Sequence, residues 1–220
     1  MATTTQPSQS QVTAEFYTSN CHSLHTGFSS MPDLERKTIL IRSENICAES
    51  FTGINSGAKP IFKFSICDDA RNAELSGTGK TISLEPSLVE KMKKLFDAQQ
   101  SLSQKKQELR EKWSLSLTTS GETVPAQAIF KRLPLQNNAV EGEVFIPSKS
   151  LLINSTINSN KSTQFEVSNR SSFSFGSMFD EPKNIFLSTS LVNELDQFAK
   201  ETDQYTKDAA EISKELWTKV

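Results

Sequence analysis

Four stretches of the chain carry residue types capable of chemistry. Ser76-Gly-Thr-Gly-Lys-Thr81 ends like a phosphate-cradling loop, in which backbone N–H groups and a lysine surround the anion. The full pattern requires glycine five residues before Gly79, where Glu74 stands, and a helix directly after Thr81. A strand-like Ile-Ser-Leu follows instead, so a hairpin turn is the favoured reading. Cys21, His22 and His25 offer three soft metal ligands, but a structural zinc site needs a fourth, and none is evident. No metal and no cofactor is expected. Asp68-Asp69 pairs two carboxylates beside Arg71, which suits a solvated turn better than an acid/base couple. With two histidines in all and no nucleophile-base signature, the chain reads as a non-enzyme.

The fourth stretch is Phe62-Lys63-Phe64, where aromatics alternate with a cation. On a sheet, such alternation can stack bases and hold phosphates. The competing reading places the same phenylalanines in the core.

The elements that must position these residues come from an internal repeat. Shifting the chain by 103 residues aligns 54–89 with 157–192 without a gap, with 11 identities in 36 positions. Phe62 and Ser65 fall on Phe165 and Ser168; Lys80, Ile82, Leu84, Leu88 and Val89 fall on Lys183, Ile185, Leu187, Leu191 and Val192. Downstream, Leu88, Met92, Leu95, Leu102, Leu109 and Trp113 recur at 4,3 spacing, the seam of a packed or coiled helix. The same shift carries them onto Leu191, Leu195, Phe198, Tyr205, Ile212 and Leu216. Gln99 and Lys106 interrupt the first seam and Thr202 the second. Pro86 suits a first helical turn, and Ser188 or Thr189 can cap the second helix.

Upstream of each helix the pattern is β-like: Lys37–Arg42, Pro60–Cys67 and Lys80–Leu84, then Glu143–Ile146, Leu151–Ile153, Thr163–Val167, Ser172–Phe175 and Asn184–Leu187. Short connections favour antiparallel sheet. The expectation is an α+β fold, a tandem duplication of antiparallel strands followed by one long amphipathic helix, with the two helices packed together. Residues 1–35 read as a polar flexible arm, 36–113 as the first unit with its helix at 86–113, 114–138 as a linker and lead-in strand, and 139–217 as the second unit with its helix at 189–217.

Charge divides unevenly. The formal net charge is −2, but 36–113 carries 14 basic and 10 acidic residues against 7 and 12 in 139–217. Opposite charge on the two helices favours their pairing, within a chain or between chains. Three widely spaced cysteines without a CxxC pair point to a reducing, intracellular setting, the cytoplasm or the nucleus. The start has no apolar signal region and no stretch suits a membrane helix, so no membrane partner is expected.

At the strand-to-helix junctions, Gly79-Lys-Thr-Ile-Ser-Leu-Glu-Pro-Ser-Leu-Val89 and Lys183-Asn-Ile-Phe-Leu-Ser-Thr-Ser-Leu-Val192 resemble the single-stranded nucleic-acid binders of the Whirly, Pur-alpha and positive-cofactor-four fold. That resemblance implies four antiparallel strands and a helix, occurring twice, with the helices packed together. It implies single-stranded DNA or RNA as the partner, bound with little sequence preference through the basic sheet of the first unit. Lys37, Arg42, Lys59, Phe62, Lys63, Phe64 and Arg71 are the candidate contacts. The alternative is a viral, phage or scaffold component that self-associates or binds a protein through the long helices.

Overall fold

A computed structural model describes residues 11–21, 34–53, 61–66, 79–115, 122–133, 139–158, 161–172 and 182–218. It is α+β, with two five-stranded antiparallel sheets and two helices that contact each other. The first sheet holds β1 (Val12–Cys21), β2 (Leu34–Ile41), β3 (Ile46–Gly53), β4 (Ile61–Ile66) and β5 (Lys80–Leu84) in the order β4-β3-β2-β1-β5. Helix α1 (Pro86–Leu115) follows directly. The second sheet holds β6 (Thr123–Leu133), β7 (Ala139–Ile146), β8 (Leu151–Asn158), β9 (Lys161–Asn169) and β10 (Lys183–Ser188) in the order β10-β6-β7-β8-β9, followed by α2 (Thr189–Trp217).

Three expectations need correction. The polar start is not an arm throughout: Val12–Cys21 forms β1, an interior strand between β2 and β5. Its apolar residues are few, and cross-strand hydrogen bonding on both sides holds it. Strand β6 lies within 114–138, where a lead-in strand was expected, but β3 was not anticipated. Ser172 lies outside any strand, and 173–175 fall outside the described residues.

The chain divides into two compact units, Met1–Gln99 with Tyr205–Val220, and Gln100–Gln204. Each helix therefore gives one half to each unit, a division that cuts through both helices where the sequence suggested a boundary in the linker. In unit 1, Ile39, Ile41, Ala48, Phe64, Ile82 and Leu84 of the sheet pack with Leu88, Val89, Met92 and Leu95 of α1 and Ala209, Ile212 and Leu216 of α2. In unit 2, Ala128, Val144, Ile153, Phe165, Val167 and Leu187 pack with Leu109 and Trp113 of α1 and Leu191, Leu195 and Phe198 of α2. Each fully buried side chain of this kind contributes about 1.5–3 kcal/mol relative to exposure. In unit 2 the Trp113 Nε1–H also donates to Ser155 Oγ at 3.1 Å.

Within each unit the helix segments run antiparallel, because the partner number falls as the α1 number rises. In unit 1, Lys91 pairs with Glu215 at 2.8 Å, and Gln99 accepts from the Tyr205 hydroxyl at 2.8 Å. In unit 2, Lys105 pairs with Glu201 at 2.6 Å and Lys112 with Glu194 at 2.5 Å. The basic and acidic helix faces thus meet inside one chain.

Gln99, a polar break in the seam, has a structural task. Phe64 lies in β4, an edge strand, and its N–H donates to Gln99 Oε1 at 3.2 Å while its carbonyl accepts from Gln99 Nε2 at 2.9 Å. The side-chain amide bonds the strand as a neighbouring strand would, and so blunts an edge that would otherwise template association.

Between the second and third strands of each sheet sits a single 3-10 turn. It ends on a left-handed residue, Asn45 (φ 56°) in unit 1 and Ser150 (φ 52°) in unit 2. Asparagine tolerates this region better than serine does.

Candidate nucleic-acid interface

Among the described candidate contacts, Lys37, Phe62, Lys63 and Phe64 belong to the sheet of unit 1 and Arg42 follows its β2; the strands alternate between a face packed on the helices and an opposite face. Ile39, Ile41, Ala48 and Phe64 take the helix side. By alternation and register, Arg36, Thr38 and Leu40 of β2 share the opposite face with Cys47, Glu49 and Phe51 of β3 and with Glu15 and Tyr17 of β1.

Arg42 is exposed and grips the Glu15 carboxylate with two nitrogens, Nε to Oε1 at 2.7 Å and Nη2 to Oε2 at 2.9 Å. The Tyr17 hydroxyl donates to Glu15 Oε2 at 2.7 Å. The Arg42 bond, then the tyrosine bond, hold the Glu15 carboxyl down at about 2, and the same contacts raise the Tyr17 and Arg42 pKa values. Deeper in the face, Arg36 Nε donates to Glu49 Oε1 at 2.9 Å, and its guanidinium lies 5.9 Å from the Phe51 ring centre. Glu49 is 2% exposed, and Thr38, Leu40 and Cys47 are each 1% exposed. The centre of this face is therefore covered, and its reachable groups lie at the rim.

The structure brings together only part of the anticipated set. Arg42 stands at the rim just described. Lys37 shares the alternation of Ile39 and Ile41, and its Nζ lies 3.6 Å from Glu35. Phe62 and Lys63 lie in β4 opposite Ser50 and Glu49; their backbones are described. Lys59 and Arg71 fall outside the described residues. Phe64 is corrected: at 2% exposure its ring belongs to the core and cannot stack on a base. Arg36, Glu15, Tyr17 and Glu49 were missed, although the alternation Arg36, Thr38, Leu40 through a strand-like run was the available signal.

The residues expected to pair the helices lie in the two cores. Leu88, Met92, Leu95, Leu109, Trp113, Leu191, Leu195, Phe198, Ile212 and Leu216 are buried in the two cores, and Leu102 and Tyr205 pack against them. Gly79 has a packing reason: a Cβ there would stand 2.5 Å from the Tyr17 ring. After Gly79 comes strand β5, and α1 begins only at Pro86, so no helix follows Thr81 directly; 76–78 fall outside the described residues. Of the proposed metal ligands, His22, His25 and the Cys21 side chain lie outside the described residues; no metal-ligating group occurs among those described. No described helix is long and apolar enough to cross a membrane.

No family model matches the chain, and neither a curated protein nor a solved structure matches it.

Proposed function

We propose that the chain is a tandem duplication and that it binds single-stranded nucleic acid, DNA or RNA, with little sequence preference. The observation that carries this reading is the repeated architecture. Two sheets share one strand order, each runs straight into a long helix, and the helices pair within the chain, as the resembled fold requires. The helices begin at 86 and 189, and 189 − 86 = 103, the shift at which the sequence repeats.

Phosphate contact is the chemistry the rim supports. An exposed ion pair such as Arg42–Glu15 has little net worth in water, so a phosphate oxygen can replace the carboxylate at small cost. Arg42 on this face, with Lys63 on β4, would supply such contacts. Base stacking on the middle of the sheet is disfavoured because that surface is covered. In unit 2 the sheet carries Glu141, Glu143 and Glu166, which would repel phosphate. The assembly reading loses the helix seam, which is spent on the chain's own cores, and would have to use another surface, such as Phe186, 60% exposed on edge strand β10.

Fluorescence anisotropy with labelled single-stranded DNA and RNA of about 30 nucleotides, across a range of salt, tests the reading. Affinity should fall steeply with salt, and Arg42→Glu should weaken binding and flatten the salt slope by about one phosphate contact while the fold persists. Absence of binding at low salt would end it.

A further inference from the structure

The Glu15 carboxylate stands in a set of donors that fits an oxyanion. Arg42 Nε donates to Oε1 at 2.7 Å, while Arg42 Nη2 and the Tyr17 hydroxyl donate to Oε2 at 2.9 Å and 2.7 Å. A guanidinium fork takes two oxygens of a phosphate as it takes the two of a carboxylate. The site is open to solvent: the side chains of Arg42 and Glu15 are 51% and 32% exposed. A groove of about 460 Å3, lined by Thr13, Leu40 and Ser43 as well as by the pair, leaves room beside them for a sugar-phosphate strand. The tip of the Tyr17 ring lies across Gly79, where a Cβ would stand 2.5 Å from it, so glycine there lets the hydroxyl reach Glu15.

Unit 2 has the same strand pairing without this chemistry. The left-handed turn residues Asn45 and Ser150 are 150 − 45 = 105 apart, and that shift carries Arg42 to Pro147 and Leu40 to Phe145. The repeat shift of 103 carries Thr81 to Asn184 and Gly79 to Pro182. Glu15 pairs with Leu40 and Thr81, and Gln127 pairs with Phe145 and Asn184, so Glu15 and Gln127 hold equivalent places. Tyr17 then corresponds to Ile129. Arg42, Glu15, Tyr17 and Gly79 thus face Pro147, Gln127, Ile129 and Pro182. The strands of unit 2 form without any of the four, and an exposed ion pair adds little stability, so bracing the sheet does not account for the set.

We propose that this donor set is a phosphate site of the nucleic-acid interface and that Glu15 is its built-in competitor, a carboxylate that an incoming phosphodiester must displace from both Arg42 and Tyr17. The inference rests on the nucleic-acid reading. The Glu15 carboxyl is held at about 2, chiefly by the Arg42 bond, so the competitor stays charged at neutral pH. Displacement leaves it ionised beside the bound phosphate, which keeps the contact weak and readily exchanged.

Anisotropy titration of the full chain with a labelled single-stranded oligonucleotide at low salt tests this through Glu15→Gln. Unit 2 carries glutamine at the equivalent place, so the strand accommodates it. The variant should bind about two- to fivefold more tightly than the wild-type chain, the range an exposed ion pair can withhold. The gain should vanish in an Arg42→Ala background, which separates competition for Arg42 from a general loss of negative charge. Tyr17→Phe added to Glu15→Gln should weaken that variant by about threefold, the loss of one exposed donor to a charged oxygen. Unchanged or weaker binding by Glu15→Gln, where the wild-type chain binds, would overturn the competitor and leave nucleic-acid binding standing. So would a gain that persists without Arg42, or Tyr17→Phe without effect. Absence of binding by the wild-type chain and Glu15→Gln alike would end the nucleic-acid reading and this inference with it.

Discussion

The two units solve one architectural problem with different polar chemistry. In unit 1, Gln99 bonds both backbone groups of Phe64 on edge strand β4 and accepts from Tyr205. The positions 103 residues away are Thr202 for Gln99 and Leu102 for Tyr205, since 99 + 103 = 202 and 205 − 103 = 102. Thr202 turns its hydroxyl onto its own helix, donating to the Phe198 carbonyl at 2.8 Å, and Leu102 packs against the unit 2 core. The same contrast runs through the sheets: unit 1 sets Arg36 against the buried Glu49, whereas the strands of unit 2 carry Glu141, Glu143 and Glu166. The apolar frame is common to both units, and the polar residues placed on it distinguish them.

The largest effects should show that the frame is shared. Met92→Ala in unit 1 and Leu195→Ala in unit 2 each empty a fully buried position, and each should cost about 2–5 kcal/mol in denaturant unfolding. A cost confined to one unit would break the equivalence. Next comes the asymmetry between Gln99 and Thr202. Gln99→Leu strands the Phe64 N–H and carbonyl and should cost about 2–3 kcal/mol, whereas Thr202→Val removes a local back-bond and should cost less than about 0.5 kcal/mol.

The turn residues give a smaller and opposite pair. Ser150→Gly relieves a left-handed serine and should stabilise by about 0.5–1 kcal/mol, while Asn45→Ala should destabilise by about 1 kcal/mol. The subtlest difference is in pH dependence. Because folding depresses the Glu15 pKa from 4.5 to about 2, its contribution is present above 4.5 and lost as pH falls towards 2. The melting-temperature gap between the wild-type chain and Glu15→Gln should therefore be widest near neutrality and close on acidification through that window.

The helices were the most legible part of the sequence. Their 4,3 apolar spacing and the Pro86 and Thr189 starts foretold α1 and α2 closely, since a long amphipathic seam leaves little ambiguity. Strands with dense β-branched residues, such as Lys80–Leu84, were equally plain. β1 was not, because its sequence Val-Thr-Ala-Glu-Phe-Tyr-Thr-Ser-Asn-Cys mixes polar residues on both sides of the alternation. Its Glu15 and Tyr17 are explained only by Arg42, 27 residues from Glu15 in sequence. The candidate site was half legible for the same reason. Composition marked unit 1 as basic, but which cations meet carboxylates depends on strand pairing. Phe64, read as a possible stacking ring, lies on the side of β4 that faces the helices.

The most direct test of the central claim is a two-dimensional amide NMR titration of the full chain with an unlabelled single-stranded oligonucleotide at low salt. The account predicts shifts confined to unit 1, centred on Arg42 and β4, and reversed by added salt. Shifts centred on the acidic sheet of unit 2, or a spectrum unchanged at saturating oligonucleotide, would contradict it.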